Sequence, residues 1–381
     1  MRFHFSSLKL WLILRYNPSS TTIYGKPKMF SARLLDAKEF RQNKVFDCPN
    51  AFRGRVLGIV GDFAARIPKR QRIGVLASGG IDSSTIVACL VKLGYSPELI
   101  TIGFGASDDE VTSAQTVAKH FNLKHHTKII TDPLDCLAEA NRLLPEPNRT
   151  AGYVYQTYQF ARSLGFSHVF DGLGPDEFLG GYTFRYDRIR ALMDKGAEIF
   201  SAYVRGAHPL DAPNDLMFLG EKLRHVPLCW RCTFPELESD LPLLDKIMHA
   251  DYNNKCRHNF IPLGKLGKAA HIYLHYPFLC DEWINLCLQV PTELKDDKAI
   301  LRSAFHGDLP ESTVNKEKQG FSANLSLVWP TLKTKLDLDS WLFTEGYLNR
   351  GWYAHALDID QPSPLEVNKV WDAYTLAQMV P

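Results

Sequence analysis

The sequence has no long apolar run, no excess charge of one sign, few cysteines and no repeats. Its longest uninterrupted apolar run near the start, Leu10–Leu14, is too short for the core of a signal peptide, and no small-x-small cleavage site follows it. No segment approaches the ~18 apolar residues that span a bilayer. Lysine and arginine number 44 against 42 aspartates and glutamates, a net charge of +2. A balance so close to zero gives no reason to propose nucleic acid or an anionic membrane as a partner. Eight cysteines are scattered through 381 residues, which is too sparse for a disulfide framework. They imply reduced thiols and a cytoplasmic setting.

What is present is ordinary globular composition, with 45% hydrophobic and 23% charged residues. The length allows two to three domains at about 150 residues each. Residues 1–54 read as a short cap, with strand-like runs at Leu10–Arg15, Thr21–Tyr24 and Ser31–Leu35 between turn clusters. Residues 55–190 alternate apolar strands with helical spacing. Ile73–Ala77, Leu99–Ile102, Lys128–Ile130 and His168–Phe170 are the strands, and helices are expected around Ile86–Val91, Val111–Phe121 and Tyr155–Leu164. That alternation predicts an α/β fold, a parallel sheet with helices on both faces. In residues 191–381 the alternation fades, and Ala191–Val204, Asp240–Ala250 and Asp281–Leu288 read as helices of a mostly helical region.

Two loops carry chemistry. Leu76-Ala-Ser-Gly-Gly-Ile-Asp-Ser-Ser84 lies between a strand and a helix start. Free N–H groups and the positive helix end favour a phosphate there. Gly79 and Gly80 permit left-handed backbone and close ligand approach, and Ser78, Ser83 and Ser84 add hydroxyls. Asp82 would repel a phosphate unless a metal bridges them, which implies Mg²⁺. The loop lacks the Gly-Lys-Ser/Thr of a Walker A motif and the third glycine of a dinucleotide fingerprint. A capped turn is the plainer alternative. The second loop, Phe170-Asp-Gly-Leu-Gly-Pro-Asp-Glu-Phe-Leu-Gly-Gly-Tyr182, also follows a strand. Ligands of parallel sheets bind beyond the strand C-termini, so Asp82 and Asp176 are expected at one edge.

Ser78-Gly-Gly-Ile-Asp-Ser83 resembles the pyrophosphate loop of the N-type ATP pyrophosphatases. Gly172-x-Gly-x-Asp-Glu-x-x-Gly-Gly-Tyr182 narrows the resemblance to the synthetase domain of asparagine synthetases and their relatives, the β-lactam synthetases and lasso-peptide cyclases. Lys298-Ala-Ile-Leu-Arg302, Leu309-Pro310, Lys316-Glu-Lys-Gln-Gly-Phe321 and Tyr276-Pro-Phe-Leu279 look like further blocks of that family. Together they cover roughly residues 55–330.

The resemblance implies an adenine nucleotide α-hydrolase-like fold and an ATP-dependent ligase that releases AMP and pyrophosphate. A small-molecule or peptide carboxylate is adenylated, and ammonia or an amine then attacks. Ser78, Gly79, Gly80, Asp82 and Ser83 are implied to hold the pyrophosphate end, and Asp82 and Asp176 to hold Mg²⁺. Ala77, Ile102, Asp171 and Gly172 are implied to contact adenosine, and Lys318 to stand near the phosphates and the tetrahedral intermediate. Three departures qualify this. Residue 2 is arginine rather than a catalytic cysteine, and residues 11–35 resemble only the tail of a glutaminase domain. Free ammonia, another amine, or a separate glutaminase or carrier subunit is then expected to supply the nucleophile. Leu173 stands where the family has an acidic residue, and leucine is no base. Lys316 replaces an arginine and loses its two-pronged fork. The alternatives are a tailoring enzyme that closes an amide, lactam or peptide ring, and a non-catalytic relative.

Other features read as structural. Cys229 and Cys232 form a lone C-x-x-C, with Cys256 and His258 as further metal ligands by type only. His125 and His126 suit sheet-edge packing, Tyr153, Tyr155 and Tyr158 suit a core, and Lys265 and Lys268 suit a solvated face.

Overall fold

The computed structural model describes residues 3–29, 32–105, 108–207, 216–317 and 325–379. Five strands form one all-parallel sheet: β1 (Ile73–Leu76), β2 (Glu98–Gly103), β3 (His125–Ile129), β4 (His168–Phe170) and β5 (Tyr273–His275). Their order is β3-β2-β1-β4-β5. Val75 of β1 is flanked by Leu99 on one side and Phe170 on the other. The expected α/β fold is present, with helices on both faces and a helical region after residue 183.

Side-chain alternation divides the buried apolar residues between two cores. Leu99 and Phe170 join Val75, Ile86, Leu90 and Val117 on one face, where the helices Pro49–Ala65, Ile81–Lys92 and Ala299–Phe305 pack. Ile100, Ile102 and Val169 join Tyr153 and Tyr158 of the helix Ala151–Ser163 on the other. The chain runs from β1 outward through β2 and β3, then returns to β4 on the opposite side of β1. The loops after β1 and β4 therefore adjoin at the switch point where parallel sheets open a crevice.

Several expectations need correction. Thr21–Tyr24 forms no strand, only an isolated bridge from Thr21 to Pro27. Leu10–Arg15 is no strand, because it falls in and just after the helix Phe5–Leu14, which is buried from Ser7 to Leu14. Trp11 Nε1 donates to the Pro147 carbonyl at 2.8 Å, Lys9 Nζ donates to the carbonyls of Arg224 and Val226, and Lys369 Nζ donates to the Leu12 carbonyl. A helix buried on every side shows no periodicity, so its apolar run mimics a strand. Ala191–Val204 is not one helix either. Gly196, at φ +87°, separates Thr183–Asp194 from Ile199–Ala207. The third strand starts three residues earlier than expected, at His125. His125 pairs with Thr101 Oγ1 at 2.8 Å, and His126 with Glu98 at 2.7 Å, so both serve sheet packing. Among the described residues, no helix is long and apolar enough to cross a membrane.

Glu98 ties the N-terminal edge of the sheet together. Arg72 donates two hydrogen bonds to its carboxylate, at 2.8 and 2.7 Å. Those bonds, with His126 assisting, hold its carboxyl down to about 2. A depressed folded value gives stability that is complete above the ordinary value of 4.5 and is lost as pH falls toward 2. Arg72 is substantially exposed, so solvent screening limits the contribution to about 1 kcal/mol. Glu98→Gln should lower the urea midpoint at neutral pH, with the gap to wild type closing between pH 4.5 and 2. A gap independent of pH would contradict the ion-pair account.

Candidate active site at the carboxyl edge of the sheet

The chain leaves β1 at Ala77, whose carbonyl accepts a hydrogen bond from Thr101 Oγ1 at 2.6 Å. Gly79 then turns at φ +68°. A Cβ there would lie 2.3 Å from the Ser113 backbone, so only glycine fits. Gly80 caps the helix Ile81–Lys92 with extended backbone and no side chain, which leaves the first-turn N–H groups open. Ser83 turns back to accept from the Ser78 N–H at 3.3 Å.

The loop after β4 meets this turn. A Cβ on Gly172 would lie 2.9 Å from the Ser83 nitrogen, a measure of how closely the two loops approach. Asp171 accepts from the Leu173 N–H at 3.0 Å, and burial pushes its carboxyl up to about 6. Gly174, at φ +133°, turns against the Phe278 carbonyl and starts the short helix Pro175–Phe178 that carries Asp176.

Asp82 and Asp176 converge on one cation. Lys298 Nζ lies 2.6 Å from Asp176 Oδ1, and 2.8 and 2.6 Å from the two oxygens of Asp82. Lys298 is buried, at 2% exposure, and both it and Asp297 adopt left-handed backbone, at φ 58° and 51°. Two successive non-glycine residues in that region store strain that the packing must hold. Gly181 completes the joint, since a Cβ there would lie 2.1 Å from Asp176 Oδ1 and 2.3 Å from Lys298 Cε.

A cavity of about 390 Å³ opens beside this triad. Of the residues expected in the site, Ala77, Ser78, Asp82, Ser83, Ile102, Asp171, Gly172 and Asp176 line it. Gly79 and Gly80 shape the turn without lining the cavity, and Lys318 lies outside the described residues. Lys316, two residues before it, donates to Ser113 Oγ at 2.7 Å, against the Gly79 turn. Leu173, Tyr153 and Tyr158 also face the cavity.

The sequence pointed to neither Lys298 as the centre of the site nor Lys255 as a wall of it. Lys298 sits within a recognised block, but its spacing says nothing of what it touches. Lys255 projects from the π-helix Asp251–Phe260 into the cavity. Burial lowers its ammonium to about 7, the cation of Arg185 adding to the effect. Cys229 and Cys232 are exposed free thiols, with the Cys232 N–H 3.3 Å from Cys229 Sγ. No group of three or more histidine, cysteine or acidic side chains among the described residues is placed to hold a metal ion.

The sequence model of the asparagine synthase family matches residues 63–358. The chain belongs to that family. Asparagine synthetase [glutamine-hydrolyzing] 1 of Bacillus subtilis is 26% identical over 294 residues, covering 65% of this chain and 46% of that protein. The chain thus spans less than half the length of this relative. The 7-cyano-7-deazaguanine synthase of Thermoplasma acidophilum is 25% identical over 130 residues, 29% of this chain and 55% of that enzyme. The solved U34-tRNA thiolase NcsA of Methanococcus maripaludis, with its [4Fe-4S] cluster, superposes loosely. Its TM-score is 0.30 at 12% identity, covering 65% of this chain and 84% of that one.

Lys298→Met should leave two carboxylates facing each other and cost about 3–5 kcal/mol of stability. Gly181→Ala should also destabilise, by forcing Asp176 and Lys298 apart. Urea unfolding reads both, and wild-type midpoints would remove the triad from any central structural role.

Proposed function

We propose that the chain is an ATP-dependent, amide-forming ligase of the asparagine synthetase type. The observation that carries this reading is the meeting of Asp82 and Asp176 at one cation, beside an uncapped helix N-terminus and a cavity. Such an edge suits the polyphosphate end of a nucleotide. The Ser78 and Ser83 hydroxyls and the N–H groups that follow Gly80 hold the pyrophosphate end. Ala77, Ile102 and the Asp171-Gly172 backbone face the adenosine. Asp82 and Asp176 suit Mg²⁺ as a donor set, because that ion takes one or two carboxylates alongside phosphate oxygens. Both line the cavity, and both already turn oxygens toward a shared cation. When bound, the ion would screen the negative charge of the phosphates.

In this reading a substrate carboxylate attacks the α-phosphorus and pyrophosphate leaves. Ammonia or an amine then displaces AMP from the acyl-adenylate. Lys318 acts as a compact charge near the phosphates. Leu173 in the cavity wall offers no proton acceptor for the nucleophile. That favours an amine that arrives unprotonated or belongs to the substrate itself, as in lactam or peptide ring closure. A separate glutaminase or carrier subunit remains a source of ammonia within the same proposal.

Pyrophosphate exchange into ATP, run over a panel of carboxylic acids, tests the reading before the nucleophile is known. Exchange should appear with at least one acid, and Asp82→Ala should reduce it by about two orders of magnitude or more. Absence of both exchange and ATP binding would contradict it.

A further inference from the structure

We propose that Lys255 holds the carboxylate of the acid substrate, in a subsite built for a monocarboxylic acid with an aromatic or bulky apolar body. The inference deepens the ligase reading and rests on it for the identity of the ligand as the acid partner.

The charge of the cavity wall is one-sided. Asp82, Glu110, Asp171 and Asp176 are all acidic, and Lys255 is the one basic side chain among the described lining residues. Lys298 offsets Asp82 and Asp176, and the helix N-terminus after Gly80 suits phosphate, so away from that end Lys255 is the described lining side chain that attracts a carboxylate. The backbone there is also unusual. Lys255 lies midway along the π-helix Asp251–Phe260, whose widened turns are frequent at functional sites.

Lys255 differs in its surroundings from the other buried lysines. Lys9 donates to the carbonyls of Arg224 and Val226, Lys28 pairs with Glu146, Lys295 with Asp245, Lys298 with Asp82 and Asp176, and Lys369 with Asp372. Lys255 instead stands over two ring faces, 4.5 Å from the Tyr182 centroid and 5.2 Å from that of Phe260. Among the described residues, no carboxylate lies within ion-pairing distance of it. The Tyr182 hydroxyl is occupied, donating to Glu177 at 2.6 Å, so its ring rather than its phenol faces the ammonium. Cation–π contact steadies an ammonium while leaving its N–H groups free for an incoming oxygen.

The rest of the subsite sets the shape of the acid. Phe184, Phe260, Leu263 and Leu173 line the same cavity and offer apolar surface. A flat or bulky apolar body is favoured there by burial. Aspartate has no apolar body for this surface, and although its ammonium can face the acidic wall, its second carboxylate finds no further cation among the described lining residues.

The test is calorimetric binding of 3-phenylpropionate and of L-aspartate to the chain saturated with a non-hydrolysable ATP analogue and Mg²⁺. 3-Phenylpropionate should bind at least about tenfold more tightly than L-aspartate, and Lys255→Met should weaken it by about tenfold or more. Lys255→Arg should restore most of that loss, with affinity for the ATP analogue kept within about twofold in both variants. Tighter binding of L-aspartate would overturn the proposal. So would 3-phenylpropionate affinity unchanged in Lys255→Met, or equal loss of acid and nucleotide, which marks a structural role. Pyrophosphate exchange separates the two readings. Lys255-dependent acid binding with no exchange by any acid keeps the anion subsite and overturns the ligase. Exchange that prefers aspartate and ignores Lys255→Met keeps the ligase and overturns the subsite.

Discussion

The site depends on one buried ammonium. Lys298 pulls the carboxylates of Asp82 and Asp176 to a single point, and so fixes the loop after β1 against the loop after β4. The two aspartates come from opposite sides of the switch point in the sheet, and their like charges would otherwise drive the loops apart. Desolvating three charges is costly, and such a cluster is weak evidence for stability by itself. Its value lies in placement. The glycines around it, Gly172 and Gly181, are positions where any Cβ would break the contact. The left-handed backbone at Asp297 and Lys298 belongs to the same constraint.

Much of the sheet was legible because β1 and β2 are short apolar strands between glycine-rich turns and helical spacing. β5 was missed for a physical reason. Tyr273, Leu274 and His275 form a short edge strand, exposed at Tyr273, without the apolar run that marks a buried strand. The helix Phe5–Leu14 was misread because burial on every side erases the period that identifies helices. Its docking is long-range, to residues 147, 224, 226 and 369, and no local pattern encodes that.

The candidate site followed a similar division. Asp82 and Asp176 could be placed at one edge from strand–loop grammar alone, and Ala77, Ser78, Ser83, Ile102, Asp171 and Gly172, expected on the nucleotide side, fall along one cavity. The cation between the aspartates could not be inferred, since a lysine more than a hundred residues downstream of either carries no charge-pairing signal in sequence. Lys255 was equally silent. It sits in the polar run Asp251-Tyr-Asn-Asn-Lys-Cys-Arg-His258, where nothing distinguishes a cavity lysine from a solvated one. Family membership accords with the fold class. In the proposed reading, the chemistry of the described wall, with Leu173, Lys255 and four acids, sets what the site can accept.

The central claim is that Asp82 and Asp176 act as one cation-centred unit for a nucleotide. A double-mutant cycle on Mg²⁺-dependent ATP binding, with Asp82→Asn, Asp176→Asn and both together, measures that coupling directly. If the claim holds, each single variant loses most of the affinity and the double variant loses little more. Losses that simply add, or an Asp176→Asn protein that binds as wild type does, would contradict it.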